Sequence, residues 1–146
     1  SFLRGLCLEY CGHLSAFTIG EIVYSSDYQG LKKEKTMSVQ LKDALQVGTT
    51  GLHEYDFGST TELNIKCVSE RAGLLLSDIT ILARNDLPDF TCACGKPAKE
   101  ICVECIWEDM EKGLLCEKCA EKHECDEALL LPVVNSPRVG VCGYTG

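Results

Sequence analysis

The chain has 146 residues, of which 45% are hydrophobic, and its mean hydropathy is near zero, so it can bury the core of one compact domain or of one domain with a small satellite. Its formal net charge of −8 disfavours binding to nucleic acid or to an anionic membrane surface. No apolar run is long enough to cross a membrane, which leaves proteins, cationic surfaces and small molecules as the expected partners.

The N-terminal part of the chain is predicted to contain two helices and two strands. Apolar side chains at helical spacing indicate a helix over residues 2–10, and residues 13–19 and 22–24 have the pattern of strands. The polar stretch 25–36 is expected to be a loop. Ser38 is expected to cap a second helix that ends near residue 45, because its hydroxyl can accept a bond from a free backbone N–H.

The clearest hairpin pattern covers residues 52–57 and 60–68. Apolar and polar residues alternate in both runs, which predicts that Tyr55 and Phe57 share one face of the first strand. The Gly-Ser pair between the two runs favours a turn.

A further alternating run, residues 79–84, predicts another strand, and the polar, proline-containing stretch 85–89 that follows has the composition of a linker. The N-terminal body is therefore predicted to end at residue 89.

Seven of the eleven cysteines and one histidine fall in four short pairs after this linker. They are Cys92 and Cys94, Cys102 and Cys105, Cys116 and Cys119, and His123 and Cys125. Thiolates two or three residues apart on a tight turn can bind one soft, tetrahedral cation, and eight ligands suffice for two closed zinc sites. The odd cysteine count, the short spacing and the lack of a visible secretory signal favour zinc over disulfides or an iron–sulfur cluster. This chemistry implies a reducing, cytoplasmic compartment.

The wiring of these ligands stays open on spacing alone, since neighbouring pairs can each close a site or the sites can interleave. All coordination positions are filled by protein, so both sites are predicted to be structural. Within the module, residues 106–107 and 114–115 are expected to pair as a small hairpin, and residues 119–124 to form one helical turn. Trp107 is expected in the module's small interior, where metal replaces a hydrophobic core.

The pattern of three short cysteine pairs closed by a histidine and a cysteine resembles cross-brace zinc fingers of the B-box and MYND classes over about 34 residues. The resemblance implies interleaved sites. Site one would be formed by Cys92, Cys94, Cys116 and Cys119, and site two by Cys102, Cys105, His123 and Cys125. The spacing of Cys92 and Cys94 is one residue shorter than these families prefer. Cys142 is therefore an alternative to Cys94 as the metal ligand.

Other motifs are similar to the zinc-bearing members of the plasmid pRiA4b ORF-like family of prokaryotes. They are the Tyr-Asp-Phe-Gly phrase at 55–58, the His-Leu-Ser-Ala-Phe phrase at 13–17, the Leu-Lys-Asp-Ala-Leu phrase at 41–45 and the closing stretch 131–144. This resemblance implies an α+β fold with a curved, mainly antiparallel sheet and one or two helices. It also implies that the chain is truncated at its N-terminus, and it implies no established reaction.

We therefore expect an α+β body over residues 1–89, a two-zinc module over 90–128 and an extended tail over 129–146 that packs back on the body. The favoured function is a non-enzymatic interaction or accessory module that binds another protein, with nucleic acid disfavoured by charge. One alternative is a nucleic-acid-associated accessory protein of mobile elements. A second is an enzyme that uses His13 and Asp56 as an acid–base pair, with Tyr55 beside them in a ligand-binding site.

Overall fold

The computed structural model describes residues 12–74 and 79–146, so the helix expected over residues 2–10 lies outside the described residues. The described residues divide into two compact units. The body comprises residues 12–74, and the cysteine-rich unit comprises residues 79–146. The stretch that follows Asp78 and the tail after residue 128 thus group with the cysteine-rich unit, whereas the sequence placed residues 79–89 in the body.

The body is a five-stranded sheet with one short helix. Its elements are β1 (Ser15–Ile19), β2 (Ile22–Ser25), β3 (Glu34–Thr36), α1 (Leu41–Ala44), β4 (Thr50–Tyr55) and β5 (Thr61–Lys66). The strand order is β3-β2-β1-β4-β5, and every neighbouring pair except β2 and β3 is antiparallel. The expected α+β class with a mainly antiparallel sheet is confirmed.

The predicted hairpin forms from β4 and β5, which pair from Tyr55 with Thr61 to Thr50 with Lys66. Its first strand ends at Tyr55, because Asp56 adopts a φ of 63° and its carboxylate accepts bonds from the N–H groups of Gly58 and Ser59, both at 3.3 Å. This side-chain turn breaks the alternation. Tyr55 is fully buried and Phe57 is half exposed, so the expectation that they share one face is wrong.

Two local expectations for the body are corrected. The stretch 25–36 is not entirely loop, because the Glu34 carboxylate accepts bonds from the N–H groups of Gln29 and Leu31 at 2.9 and 3.0 Å. These bonds fold the segment back, and β3 then lies parallel to β2. The second helix is only four residues long, and its N-cap is Gln40 without a side-chain bond, instead of Ser38. None of its residues is buried, so no packing favours a longer helix.

The strand expected over residues 79–84 does not form. Residues 79–89 carry no secondary structure, and Leu82 is almost fully exposed. Alternation shows that a segment suits a half-buried strand, but a strand needs a hydrogen-bonded neighbour to persist.

The cysteine-rich unit contains three short strands and three short helices, together with one 3₁₀ turn. They are β6 (Glu100–Cys102), α2 (Cys105–Glu108), α3 (Met110–Gly113), β7 (Leu114–Leu115), α4 (Glu117–Ala120), the 3₁₀ turn (Glu127–Leu129) and β8 (Leu130–Pro132). The strands form an antiparallel sheet in the order β7-β6-β8. The tail thus joins the sheet of this unit through β8.

The hairpin expected between residues 106–107 and 114–115 is wrong. The carboxylate of Asp109 accepts a bond from the Glu111 N–H at 3.0 Å and caps α3, so the chain turns twice as helix before it reaches β7. Gly113 is essential to this path, because a Cβ there would lie 2.7 Å from the Ile106 Cα. The helix expected over residues 119–124 begins earlier, at Glu117.

A hydrophobic core lies inside the cysteine-rich unit, although the sequence suggested that this segment has almost no interior. Its buried members are Ala98, Ile101 and Leu114, against which Phe90, Ile106, Val133 and Val139 pack. Val133 and Val139 come from the tail, and Phe90 precedes the first cysteine of the module, so residues on both sides of the cysteine-bearing segment complete its core. Trp107 is not part of this core, since it is 79% exposed. No described helix is long and apolar enough to cross a membrane.

Candidate metal centres

The first ligand group consists of Cys92, Cys94, Cys116 and Cys119, whose sulfur atoms all lie within 4.8 Å of one another. The first two residues lie on a tight turn in which the Gly95 N–H donates to the Cys92 carbonyl at 2.8 Å and Gly95 has a φ of 82°. This turn accommodates the short Cys-x-Cys spacing. The other two residues come from the start of α4, where Cys116 is the N-cap.

The second group consists of Cys102, Cys105, His123 and Cys125, whose ligand atoms also lie within 4.8 Å of one another. Cys102 ends β6 and Cys105 begins α2, while the other two ligands follow α4. The His123 N–H donates to the Ala120 carbonyl at 3.0 Å, which holds the chain in a turn as it leaves the helix.

The structure therefore brings the four pairs together in the interleaved arrangement, the first with the third and the second with the fourth. Cys94 is a member of the first group, and Cys142 is not. Cys142 is exposed. All described cysteines are free thiols.

The distances test whether a metal fits. Tetrahedral zinc, with bonds of about 2.3 Å to sulfur and about 2.0 Å to nitrogen, places two sulfurs about 3.8 Å apart and a sulfur and a nitrogen about 3.5 Å apart. The Cys94 and Cys116 sulfurs are 3.5 Å apart, and those of Cys105 and Cys125 are 3.6 Å apart. The Cys105 sulfur is 3.5 Å from Nε2 of His123. These separations are too long for disulfides, which need about 2.05 Å, and they match ligands of one shared tetrahedral ion.

Backbone N–H groups donate hydrogen bonds to the sulfur of the first cysteine in each group, Cys92 and Cys102. Donation from the N–H groups of Cys94 and Cys116 lowers the pKa of Cys92 to about 6. In the second group, burial raises the pKa of Cys102, but donation from the N–H groups of Cys105 and Glu104 and a bond with His123 outweigh it and lower that pKa to about 7. Such bonds stabilise a thiolate, which is the form that binds metal.

The last thiol of each group shows the opposite shift. Hydrogen bonding to Cys92, Cys116 and Cys94 raises the pKa of Cys119 to about 12, and hydrogen bonding to Cys105 raises the pKa of Cys125 to about 12. Thiols this close resist joint ionisation because adjacent thiolates repel each other. A dication at the centre of each group reverses this preference and lets all of its thiols bind as thiolates.

The third set that the sequence singled out, His13, Tyr55 and Asp56, also lies together in the body. Nδ1 of His13 is 3.6 Å from the Asp56 carboxylate, and the rings of His13 and Tyr55 meet edge to face with their centroids 6.0 Å apart. The same carboxylate oxygen serves the turn between β4 and β5. This geometry accounts for Asp56 as a turn residue and favours a structural role over acid–base catalysis.

Sequence reasoning missed His53. Its imidazole is fully buried on β4 and stacks on Phe17, with ring centroids 4.0 Å apart, and its two nitrogens have no hydrogen-bond partner among residues 12–74 and 79–146. Burial lowers its pKa to about 4. The alternation around Tyr55 could have identified His53 as inward facing, since the two residues are separated by two positions.

No protein-family model matches the chain, and no curated protein or solved structure matches it. The resemblances to the plasmid pRiA4b ORF-like family and to cross-brace fingers therefore remain predictions from the motifs quoted above.

Proposed function

We propose that the cysteine-rich unit is a structural two-zinc module and that the protein is a non-enzymatic interaction or accessory protein. One observation carries the proposal. Eight ligand residues, separated by up to 33 positions in the chain, converge into two groups with the spacing of tetrahedral coordination.

Zinc fits the donor atoms better than other common ions. Calcium and magnesium prefer oxygen ligands, whereas sulfur with one imidazole is the usual donor set of structural zinc. The histidine in the second group also departs from the four-cysteine ligation typical of iron–sulfur clusters. When bound, the ions would act as cross-links that tie α2, α4 and the end of β6 together.

The sites support a structural role for the metal because each already has four protein ligands. A catalytic zinc needs a position open to water or substrate. The interleaved arrangement also supports the proposed likeness to cross-brace fingers, in which one zinc site stabilises the loop that contributes to the other.

Charge and exposed surface support a protein as the partner. Residues 92–125 contain five lysines and eight acidic residues, and two sites loaded with seven thiolates would add further negative charge. Nucleic-acid binding is therefore disfavoured. Trp107 and Met110 are 79% and 61% exposed, and such side chains are enriched in protein interfaces. Because thiolate sites survive best under reducing conditions, we also propose a cytoplasmic location.

Native mass spectrometry of the full chain, compared with the denatured chain, tests the metal content. We expect a mass increase of two zinc ions that is lost on denaturation. Cys105→Ser should retain fewer than two zinc ions and destabilise the cysteine-rich unit, because it removes a ligand from the second group. Cys67→Ser is the matched control, since Cys67 lies outside both groups. Two zinc ions in both variants, with equal stability, would contradict the ligand assignment.

A gel-shift measurement with DNA and RNA tests the nucleic-acid alternative. We expect no salt-sensitive complex at physiological ionic strength, because the acidic chain repels phosphates. A specific complex that survives physiological salt would contradict the proposed protein partner.

A further inference from the structure

A cleft of about 480 Å³ lies within the cysteine-rich unit, between α4 and one face of the β6–β8 ladder. Leu130 and Pro132 contribute apolar surface to it, and Ala120 of α4 lies opposite them. Ile101 and Leu131 belong to the other face, where they join the buried residues of the unit. The cleft is therefore a surface separate from the hydrophobic core, and its volume suits a few side chains of a bound peptide.

Four glutamates surround this apolar surface. Glu100 comes from β6, Glu117 from the start of α4, Glu121 from the C-cap of that helix, and Glu127 from the 3₁₀ turn. Lys99 is the single cationic residue in the lining. Acidic residues from three separate parts of the unit thus line one opening.

The charges of α4 are segregated instead of mixed. Glu117 of α4 and its C-cap residue Glu121 line the cleft, whereas the adjacent residues Lys118 and Lys122 do not. Glu117 and Glu121 are also four residues apart, a spacing at which like charges on a helix repel. Among the described residues, none of the four cleft glutamates has a lysine, arginine or histidine nitrogen within 4.0 Å. A cation from outside would relieve this repulsion.

The edge of β8 does not favour the pairing of an incoming strand. The pattern of bonds to β6 directs the backbone groups of Leu130 and Pro132 outwards. The Leu130 N–H already donates to the Glu127 carbonyl, and proline has no N–H. Recognition at this cleft must therefore depend on side chains, because a strand partner would find no donor on the edge.

We propose that this acidic cleft binds an arginine- or lysine-bearing segment of a partner protein, an inference that rests on the proposed interaction function. The aliphatic stem of such a side chain can lie on Leu130 and Pro132 while its charged end pairs with the glutamates. The lining contains no phenylalanine, tyrosine or tryptophan, so it lacks the aromatic cage that recognises methylated lysine. The unmodified cation is the expected ligand.

The cleft also borders the second metal group, since His123 and Cys125 belong to its lining. Filling that site would hold the two ligands, and with them the C-terminal side of α4, against the sheet. The zinc-loaded full chain is therefore the form to test.

The test uses fluorescence polarisation with a labelled synthetic peptide of alternating alanine and arginine. The control peptide carries citrulline, which is neutral and nearly isosteric with arginine. The cleft variant is Glu117→Gln with Glu121→Gln. The matched control variant is Glu108→Gln with Glu111→Gln, which removes the same charge from exposed glutamates outside the cleft. Zinc content is measured for every protein.

We expect the arginine peptide to bind the wild-type chain and the control variant alike, and the cleft variant about fivefold or more weakly, since two partly screened ion pairs are lost. Citrulline should abolish binding. Equal weakening in both variants would assign the attraction to overall charge and overturn the proposal, as would equal binding of the citrulline peptide.

An NMR titration of the wild-type chain decides the matter if the cleft variant loses zinc. Amide shifts at Ala120, His123 and Leu130 would support the cleft, and shifts confined to the Trp107 region would overturn it. A wild-type chain that holds two zinc ions and binds no arginine peptide refutes the cleft alone. A chain that holds no zinc refutes the two-zinc proposal itself.

Discussion

Acid should destabilise the body through His53. The imidazole is buried with no hydrogen-bond partner in the part of the chain that the structure describes, and burial lowers its pKa to about 4 from the ordinary 6.5. The folded body therefore requires neutral His53, whereas the unfolded chain takes up a proton as the pH falls below about 6.5. Stability from this residue is fully present above that pH and is lost progressively until the pH reaches about 4.

The magnitude follows from the two pKa values. Between pH 7.5 and 5.5, proton uptake by the unfolded chain should lower the free energy of unfolding by about 1.3 kcal/mol, and by about 3 kcal/mol at pH 4. His53→Phe keeps a ring that can stack on Phe17 and removes the titration. The variant also removes two buried nitrogens that no described residue pairs with, so it should be at least as stable as the wild type at neutral pH.

The assay compares urea unfolding of the wild type and His53→Phe at pH 7.5, 6.5 and 5.5. Both proteins contain the same metal ligands. Subtracting one free energy of unfolding from the other therefore removes the effect of titrating those ligands. A direct NMR titration of the His53 ring gives its pKa in the folded chain. A ring that titrates near 6.5, or a stability difference that does not change with pH, would refute the reasoning.

Three further predictions concern the metal sites and two turns. A chelator should unfold the cysteine-rich unit and leave the β4–β5 hairpin protected in hydrogen exchange; simultaneous loss of protection in both would show one cooperative unit. Gly113→Ala should lower the free energy of unfolding of the cysteine-rich unit by about 1–3 kcal/mol, because the added Cβ would overlap backbone atoms. The control Gly73→Ala should have little effect, since a Cβ there meets no described atom within 4 Å. Equal melting temperatures of the two variants would contradict this prediction. Asp56→Ala should cost more than Asp56→Asn, since asparagine keeps a side-chain acceptor and tolerates positive φ, and denaturant unfolding with the reverse order would exclude the turn role.

Parts of the fold were predictable because they depend on neighbours in the chain. The β4–β5 hairpin is a local structure, and alternation on both sides of a short turn sufficed to place it. The strand expected over residues 79–84 is absent although its residues alternate, so alternation alone did not decide whether a strand forms there. The parallel pairing of β3 with β2 depends on the Glu34 carboxylate, which folds the preceding loop back, and no composition rule anticipates that contact.

For the candidate metal sites too, the local part was predictable from the sequence and the long-range part was not. The short spacing of each pair is local, so the sequence by itself identified the eight candidate ligands and the tetrahedral, sulfur-rich chemistry that suits them. Which pairs come together depends on residues far apart in the chain, such as Cys94 and Cys116, which are 22 positions apart with α2, α3 and β7 between them.

The hydrophobic core of the cysteine-rich unit and the acidic cleft also arise only in three dimensions. Ile101 and Glu100 are adjacent in sequence, yet pairing with β8 directs one into the core and the other into the cleft. The sequence determined which chemical groups the chain carries and their local spacing, because these depend on covalent order. Only the tertiary structure decided which groups meet, because that depends on strand partners and packing between residues far apart in the chain.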